Sequence, residues 1–397
     1  MMLLVVGCEQ DPSPAENEAY REEETYRASI DEGFDLELSA AQSWQLLGTA
    51  ITEGATLSTQ PKIVFDSQNH PIVAYSVYVP TGDKHHIYVK RWNGTAWQRL
   101  GGVLNVALSY SATQLSLAIQ NDQPVVAWFE RRSTGGGSPG AYVKRWDGTA
   151  WQLLGGKLQN NNNAIGFSPK LAVDSNNGII VAFQQSDSFY FQRWASSEWE
   201  EIARFESLGN NQLELFLLNK ADNPIIVWKQ EIASNQYRTK VCRWNGLRWQ
   251  NIGNFDHNSY SYALAIAQGL RGNLYLVVIE NSSSIVREWD ARARVWQAVG
   301  DPLGIAGGPH PAEPKLIIQG YRRPVVTWYD ARWPGANREV YVQRWNGQSW
   351  VNLGEQPVVA YNNRGYNLTL DRNNTISLAY AEFRSAYDGG LYVKQFR

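Results

Sequence analysis

Tyr88-Val-Lys-Arg-Trp92 runs into Asn93-Gly94 and then Trp97-Gln-Arg-Leu-Gly101. The same pattern returns as Tyr142-Val-Lys-Arg-Trp146, Asp147-Gly148 and Trp151-Gln-Leu-Leu-Gly155. Asn-Gly or Asp-Gly between two β-prone runs is a strong hairpin signal. Weaker copies run from Tyr190 to Trp194 with Trp199, and from Lys240 to Trp244 with Trp249. Two more run from Ile285 to Trp289 with Trp296, and from Tyr341 to Trp345 with Trp350. The second tryptophans, counted from Trp44, recur every 47 to 54 residues. A period of that length marks a repeat architecture.

Each period also carries an earlier pair of short apolar runs. Pro61-Lys-Ile-Val-Phe-Asp66 precedes Pro71-Ile-Val-Ala-Tyr75, and cognates include Pro169 to Asp174 and Pro314 to Ile318. The runs are rich in Val, Ile and aromatics and bounded by turn residues, so they read as strands. Each period is then four antiparallel strands, a to d. The repeat region opens with a lone d strand at Trp44 to Gly48 and ends with a, b and c strands, the last at Leu391 to Phe396. Six complete units and two complementary fragments make seven. A four-stranded sheet cannot bury both faces alone, and matching ends close a ring. The chain resembles the β-propeller superfamily, whose kelch branch has a similar period, and is similar to bacterial seven-bladed lectins. The resemblance implies an all-β, seven-bladed propeller over residues 41–397.

The N-terminus reads differently. Met1-Met-Leu-Leu-Val-Val-Gly-Cys8 resembles the lipobox of bacterial lipoprotein signals, which implies a lipid on Cys8 and a place in the bacterial cell envelope. Residues 9–40 carry 11 Asp and Glu against two Arg. Such a stretch buries too little surface to offset ordering entropy and reads as a disordered tether. The formal charge of −2 thus divides into −9 in the tether and +7 from Ala41 onward.

Two cysteines exclude a disulfide scaffold and a Cys-rich metal centre. If Cys8 is lipidated, Cys242 is an unpaired, inert thiol. No phosphate loop, Gly-x-Ser-x-Gly elbow or calcium loop occurs. The Ser-x-Asp-x-Gly-x-x-Thr-Trp boxes of sialidases are absent too. His85 and His86 lack a third metal ligand. No cofactor, no metal and no nucleic-acid partner is expected.

Of the 17 Trp, 16 fall at repeat positions and read as packing. Arg91, Arg145, Arg193, Arg243 and Arg344 precede the c-strand Trp and read as structural. Function is expected where loops vary. The a–b and c–d connections read as tight turns, whereas the b–c and d–a connections share one face and read as long. Three b–c loops open with an acid-x-Arg pattern: Glu130 to Arg132, Asp330 to Arg332, and Glu382 to Arg384. The pattern serves either to fix loop geometry or to contact a ligand. Trp333, the unrepeated Trp, sits between Arg332 and Arg338 as a stacking candidate. The expectation is a monomeric, membrane-anchored propeller that binds a glycan or protein on this face. A polysaccharide hydrolase or lyase, and an assembly scaffold without a small-molecule site, are the alternatives.

Overall fold

The computed structural model describes residues 9–10, 42–52, 58–132, 139–158, 167–206, 212–234, 236–257, 264–280, 283–304, 311–330, 338–354, 358–360, 365–383 and 389–397. They form seven sheets, each built on four antiparallel repeat strands, and the described residues contain no helix. The fold is a seven-bladed β-propeller. Blade 1 comprises Ser58–Phe65, Pro71–Val79, Lys84–Trp92 and Trp97–Arg99 as strands a to d. Blade 7 takes its a, b and c strands from Tyr366–Leu370, Ile376–Phe383 and Gly389–Phe396, and its d strand from Trp44–Leu46. The two ends therefore meet in one sheet, with Trp44 opposite Phe396. Ser43 and Arg397 exchange backbone hydrogen bonds of 2.6 and 3.1 Å at the seam.

Strand b is buried on both faces, which is why it reads as a continuous apolar run rather than an alternating one. Ile72, Val73 and Ala74 in blade 1, and Ile179 to Phe183 in blade 3, are fully buried. The cores lie between blades. Ile72, Ala74, Ile87 and Val89 of blade 1 pack with Val126, Trp128 and Tyr142 of blade 2.

The paired aromatics at the c–d turn are the most regular feature. Trp44–Phe396, Trp92–Trp97, Trp146–Trp151, Trp194–Trp199, Trp244–Trp249, Trp289–Trp296 and Trp345–Trp350 have centroid separations of 5.1 to 5.6 Å. The d-strand indole then reaches the previous blade. Trp151 Nε1 donates to the Leu100 carbonyl at 2.7 Å, Trp199 to Leu154 at 2.9 Å and Trp296 to Ile252 at 2.6 Å. Gly101, which ends this repeat, has φ of +65°, and a Cβ there would lie 2.9 Å from the Trp146 ring. That glycine meets both a left-handed backbone and a close approach by the next blade.

One expectation changes. The b–c connections are not uniformly long: strands b and c extend toward their tips, leaving Ser186-Asp187 in blade 3 and Pro80 to Asp83 in blade 1. Strand d is also uneven, with three residues in blade 1 but nine in Glu198–Glu206 and Trp249–His257 of blades 3 and 4. Glu9–Gln10 pairs in parallel with Gln250 and Asn251 on the outer edge of blade 4.

Candidate functional site

The seven a strands line the ring's centre, each beginning at the d–a face. In blades 1, 2, 3 and 6 the strand breaks register a few residues after it starts: between Thr59 and Lys62, Thr113 and Ser116, Phe167 and Lys170, and Ala312 and Lys315. The bulged residue is left-handed without being glycine: Gln60 (φ 55°), Gln114 (57°), Ser168 (54°) and Glu313 (48°). A bulge sharpens local twist and re-aims the side chains that follow. Such backbone conformations cost on the order of 1–3 kcal/mol each and concentrate at functional sites.

Two residues after the bulge, three of these blades carry lysine: Lys62, Lys170 and Lys315. Each is half-buried. Lys170 and Lys315 come from blades 3 and 6, yet each feels the positive charge of Lys62, and Lys315 also feels Lys170. Strands so placed on the ring reach one another only across the channel, so the three ammonium groups face a common space. At about 3.3 Å per residue, they lie roughly 10–15 Å along their strands from the first residues, Ser58, Phe167 and Pro311.

The surroundings hold the lysines without neutralising them. Lys170 Nζ lies 3.2 Å from Ser168 Oγ, while Lys229 forms a 3.2 Å ion pair with Glu214. Lys315 Nζ sits 5.4 Å from the centroid of the Tyr366 ring and donates to the Glu313 carbonyl at 3.2 Å. Tyr366 donates to the same carbonyl at 2.5 Å. The Tyr329 ring meets Tyr366 edge-on at 6.4 Å. Bonds between adjacent a strands fix the lysine backbones: Ile63 N–H donates to Asn367 Oδ1 at 3.0 Å, and Leu171 N–H to Ser116 Oγ at 2.9 Å.

The electrostatics follow from crowding. Desolvation, then the charge of Lys62, pushes the Lys170 ammonium down to about 8, against the opposing pull of Glu214. Lys315 is pushed down to about 8 by desolvation and by Lys62 and Lys170, with Glu313 opposing. Lys62 is lowered by burial, partly offset by Glu313. A cluster of like charges with too few counter-ions is arranged to receive an anion.

On the opposite face, bonds between a–b turns link neighbouring blades. Ser67 N–H donates to Asp122 Oδ1 at 2.7 Å, Ser175 N–H to Asp222 Oδ1 at 3.0 Å, and Arg372 N–H to Asn69 Oδ1 at 2.8 Å. The c-strand arginines serve this face. Arg193 pairs with Asp174 at 3.0 Å, and Arg344 bonds Gln319 at 3.1 Å. Where blade 5 has Glu288 in place of the arginine, it pairs with Arg322 of blade 6 at 2.6 Å.

The sequence candidates divide. Arg332, Trp333, Arg384 and Cys8 lie outside the described residues. Asp330 and Arg338 sit at the ends of strands b and c of blade 6, opposite Pro311 and Ala360. Arg132 is exposed just past strand b of blade 2, and Glu382 is half-buried on strand b of blade 7, near Lys394. Glu130 is corrected as a ligand contact: it is fully buried and its carboxylate is occupied. It accepts from Trp128 Nε1 at 2.7 Å, Val106 N–H at 2.6 Å and Ala107 N–H at 3.1 Å, and so pins the d–a loop. Cys242 is also corrected. It is buried and disulfide-bonded rather than an unpaired thiol. Among the described residues no cluster of His, Cys, Asp and Glu suits a metal.

Sequence reading missed the lysines, although a signal was present. Pro61-Lys62-Ile63, Pro169-Lys170-Leu171 and Pro314-Lys315-Leu316 repeat a Pro-Lys-aliphatic triplet at one position of strand a.

No protein-family model matches the chain, and no curated protein matches it in sequence. Solved structures do match in fold. The Trypanosoma rangeli sialidase aligns with a TM-score of 0.53 at 9% identity, covering 90% of this chain and 60% of that one. The same sialidase in complex with the inhibitor DANA gives 0.51 at 9%, with the same coverage. A protein of unknown function from Dyadobacter fermentans DSM 18053 gives 0.49 at 11%, covering 77% of this chain and 99% of its own. The chain spans about three-fifths of the sialidase it resembles. At these identities the likeness is one of fold: the chain is a seven-bladed β-propeller with sialidase-like neighbours.

Proposed function

We propose that this protein is a binding propeller for an acidic glycan, taken on the d–a/b–c face with its anionic group in the channel mouth. The observation that carries the reading is the convergence of Lys62, Lys170 and Lys315 across one channel. Three half-desolvated ammonium groups share two carboxylates, Glu214 and Glu313, and Glu214 is already paired with Lys229. Tyr329, half-buried beside them, supplies aromatic surface suited to a sugar ring. A sialidase among the fold neighbours agrees with a glycan ligand, and the lysines carry the anionic preference.

A place in the bacterial envelope belongs to the proposal on the strength of the Met1–Cys8 stretch, and lipidation of Cys8 is the alternative to the Cys242 disulfide rather than its companion. The chain has two cysteines, so a lipidated Cys8 and a Cys242 disulfide within one chain exclude each other. Intact mass of the mature protein distinguishes a diacylglycerol adduct from a disulfide.

Glycan-array binding tests the function. Acidic oligosaccharides should bind and neutral ones of equal length should not. Binding should weaken steeply with salt, as a contact between lysines and an anion requires. Neutral glycans binding as well as acidic ones, or binding that salt leaves unchanged, contradicts the reading.

A further inference from the structure

The channel mouth carries information about the shape of the anion as well as its sign. Lys62, Lys170 and Lys315 stand on blades 1, 3 and 6 of seven. The gaps between them are one blade, two blades and one blade, the most even three-way spacing that seven blades allow. All three occupy the same register position, opposite Ala74, Ala182 and Thr327 of strand b, so they enter the channel at one level. The ring thus presents three ammonium groups around its axis in a single layer.

A carboxylate offers two oxygens in one plane and is matched best by the flat fork of an arginine. Among the described residues, no arginine holds this register position. Its cations are point charges on flexible stems, the lysine mode of recognising phosphate-like groups. A sulfate or phosphate ester presents three terminal oxygens around its ester bond. With that bond along the channel axis, each oxygen faces one wall. The charge count agrees. Lys229 and Glu214 neutralise each other and Glu313 offsets one of the three lysines, leaving two positive charges for the ligand.

We infer that the layer formed by Lys62, Lys170 and Lys315 is an on-axis site for a tetrahedral oxyanion, so that the ligand is a sulfated or phosphorylated glycan rather than a uronate. This inference rests on the acidic-glycan reading above and narrows it. The hydroxyl of Ser168 stands beside Lys170, and the Tyr366 ring positions Lys315 from the side. Side chain–backbone bonds at Ile63 and Leu171 hold two of the three walls in place before any ligand arrives. Such preorganisation favours a compact anion of fixed shape.

Calorimetric titration of the full chain tests this with four probes of equal length: a sulfated, a phosphorylated, a polygalacturonate and a neutral oligosaccharide. Sulfated or phosphorylated ligand should bind at least 10-fold more tightly than polygalacturonate, and inorganic sulfate or phosphate should compete where acetate at equal ionic strength does not. The stronger of the two ester arms identifies the ester. Lys170→Gln and Lys315→Gln should each remove that preference, with folding confirmed by unchanged circular dichroism. Polygalacturonate binding as tightly as the esters, with acetate competing equally, overturns the tetrahedral site and leaves the acidic-glycan reading standing. Absence of binding to all three acidic probes overturns both. Because the competition uses the unmodified protein, a variant that fails to fold leaves the test intact.

Discussion

Trp151 of blade 2 donates its indole N–H to the carbonyl of Leu100 in blade 1, 2.7 Å away. Its cognate Trp97, one blade earlier, occupies the same repeat position, yet its buried Nε1 has no acceptor. The contrast separates the hydrogen bond from the ring. Trp151→Phe should lose about 1 kcal/mol of stability, the net value of one such bond plus part of the ring. Trp97→Phe removes a donor that is buried and unsatisfied, and should cost less. Urea unfolding of the two variants checks this, and an equal loss in both would assign the effect to ring size alone.

Ring closure depends on a d strand that precedes the rest of its blade by more than 300 residues. Trp44 pairs with Phe396, and its Nε1 reaches the Leu353 carbonyl of blade 6 at 2.7 Å. A chain starting at Gln42 should keep the cooperative unfolding of the full protein. A chain starting at Ala50 leaves the Val393–Phe396 edge unpaired and should unfold at markedly lower temperature or aggregate. Differential scanning calorimetry on both chains distinguishes the outcomes.

Glu130 joins strand b of blade 2 to the following loop through Trp128, Val106 and Ala107. Glu130→Ala leaves three donors unsatisfied and removes charge-assisted bonds. The expected loss is about 2–3 kcal/mol in chemical denaturation. A loss below about 0.5 kcal/mol would contradict the assignment of Glu130 to structure.

Lys170 and Lys315 lie near 8 in the folded protein against 10.5 for an ordinary lysine. Both are charged at neutral pH, so anion affinity should be full below about pH 7 and fall as pH rises through 8. Between pH 8 and 10.5 the unfolded chain binds more protons at these sites than the folded chain does. The stability of the ligand-free protein relative to a Lys170→Gln, Lys315→Gln double variant should therefore rise across that window. Paired denaturation curves at pH 7, 8.5 and 10 would show it, and a constant difference would mean that the two amines are not crowded.

The architecture was legible because the same solution is written seven times. Trp-x-x-x-Gly endings, Asn-Gly turns and apolar b strands each recur with one physical cause, so noise in any one blade is outvoted. The site was legible only in part. The favoured face follows from loop placement, but the lysines hide inside strands, where a period-of-two reading assigns them to an ordinary blade face. What moves them is a bulge at Gln60, Ser168 and Glu313, residues that do not advertise a positive φ as glycine does. In blade 2 the acid-x-Arg pattern follows its loop-geometry alternative for a related reason. Glu130 lies two residues after an aromatic whose indole needs an acceptor, and that local demand, not a ligand, accounts for the acid in blade 2.

The central claim is that an anionic ligand is held by the lysine layer of the channel. Its most direct test is the affinity of the acidic oligosaccharide that binds best, measured by titration calorimetry on the native protein and on Lys62→Gln, Lys170→Gln and Lys315→Gln. Each substitution should weaken binding at least 10-fold and flatten its salt dependence, while thermal stability at pH 7 stays the same or rises as like-charge repulsion is relieved. Unchanged affinity and salt dependence in all three folded variants would contradict the account and place the ligand elsewhere.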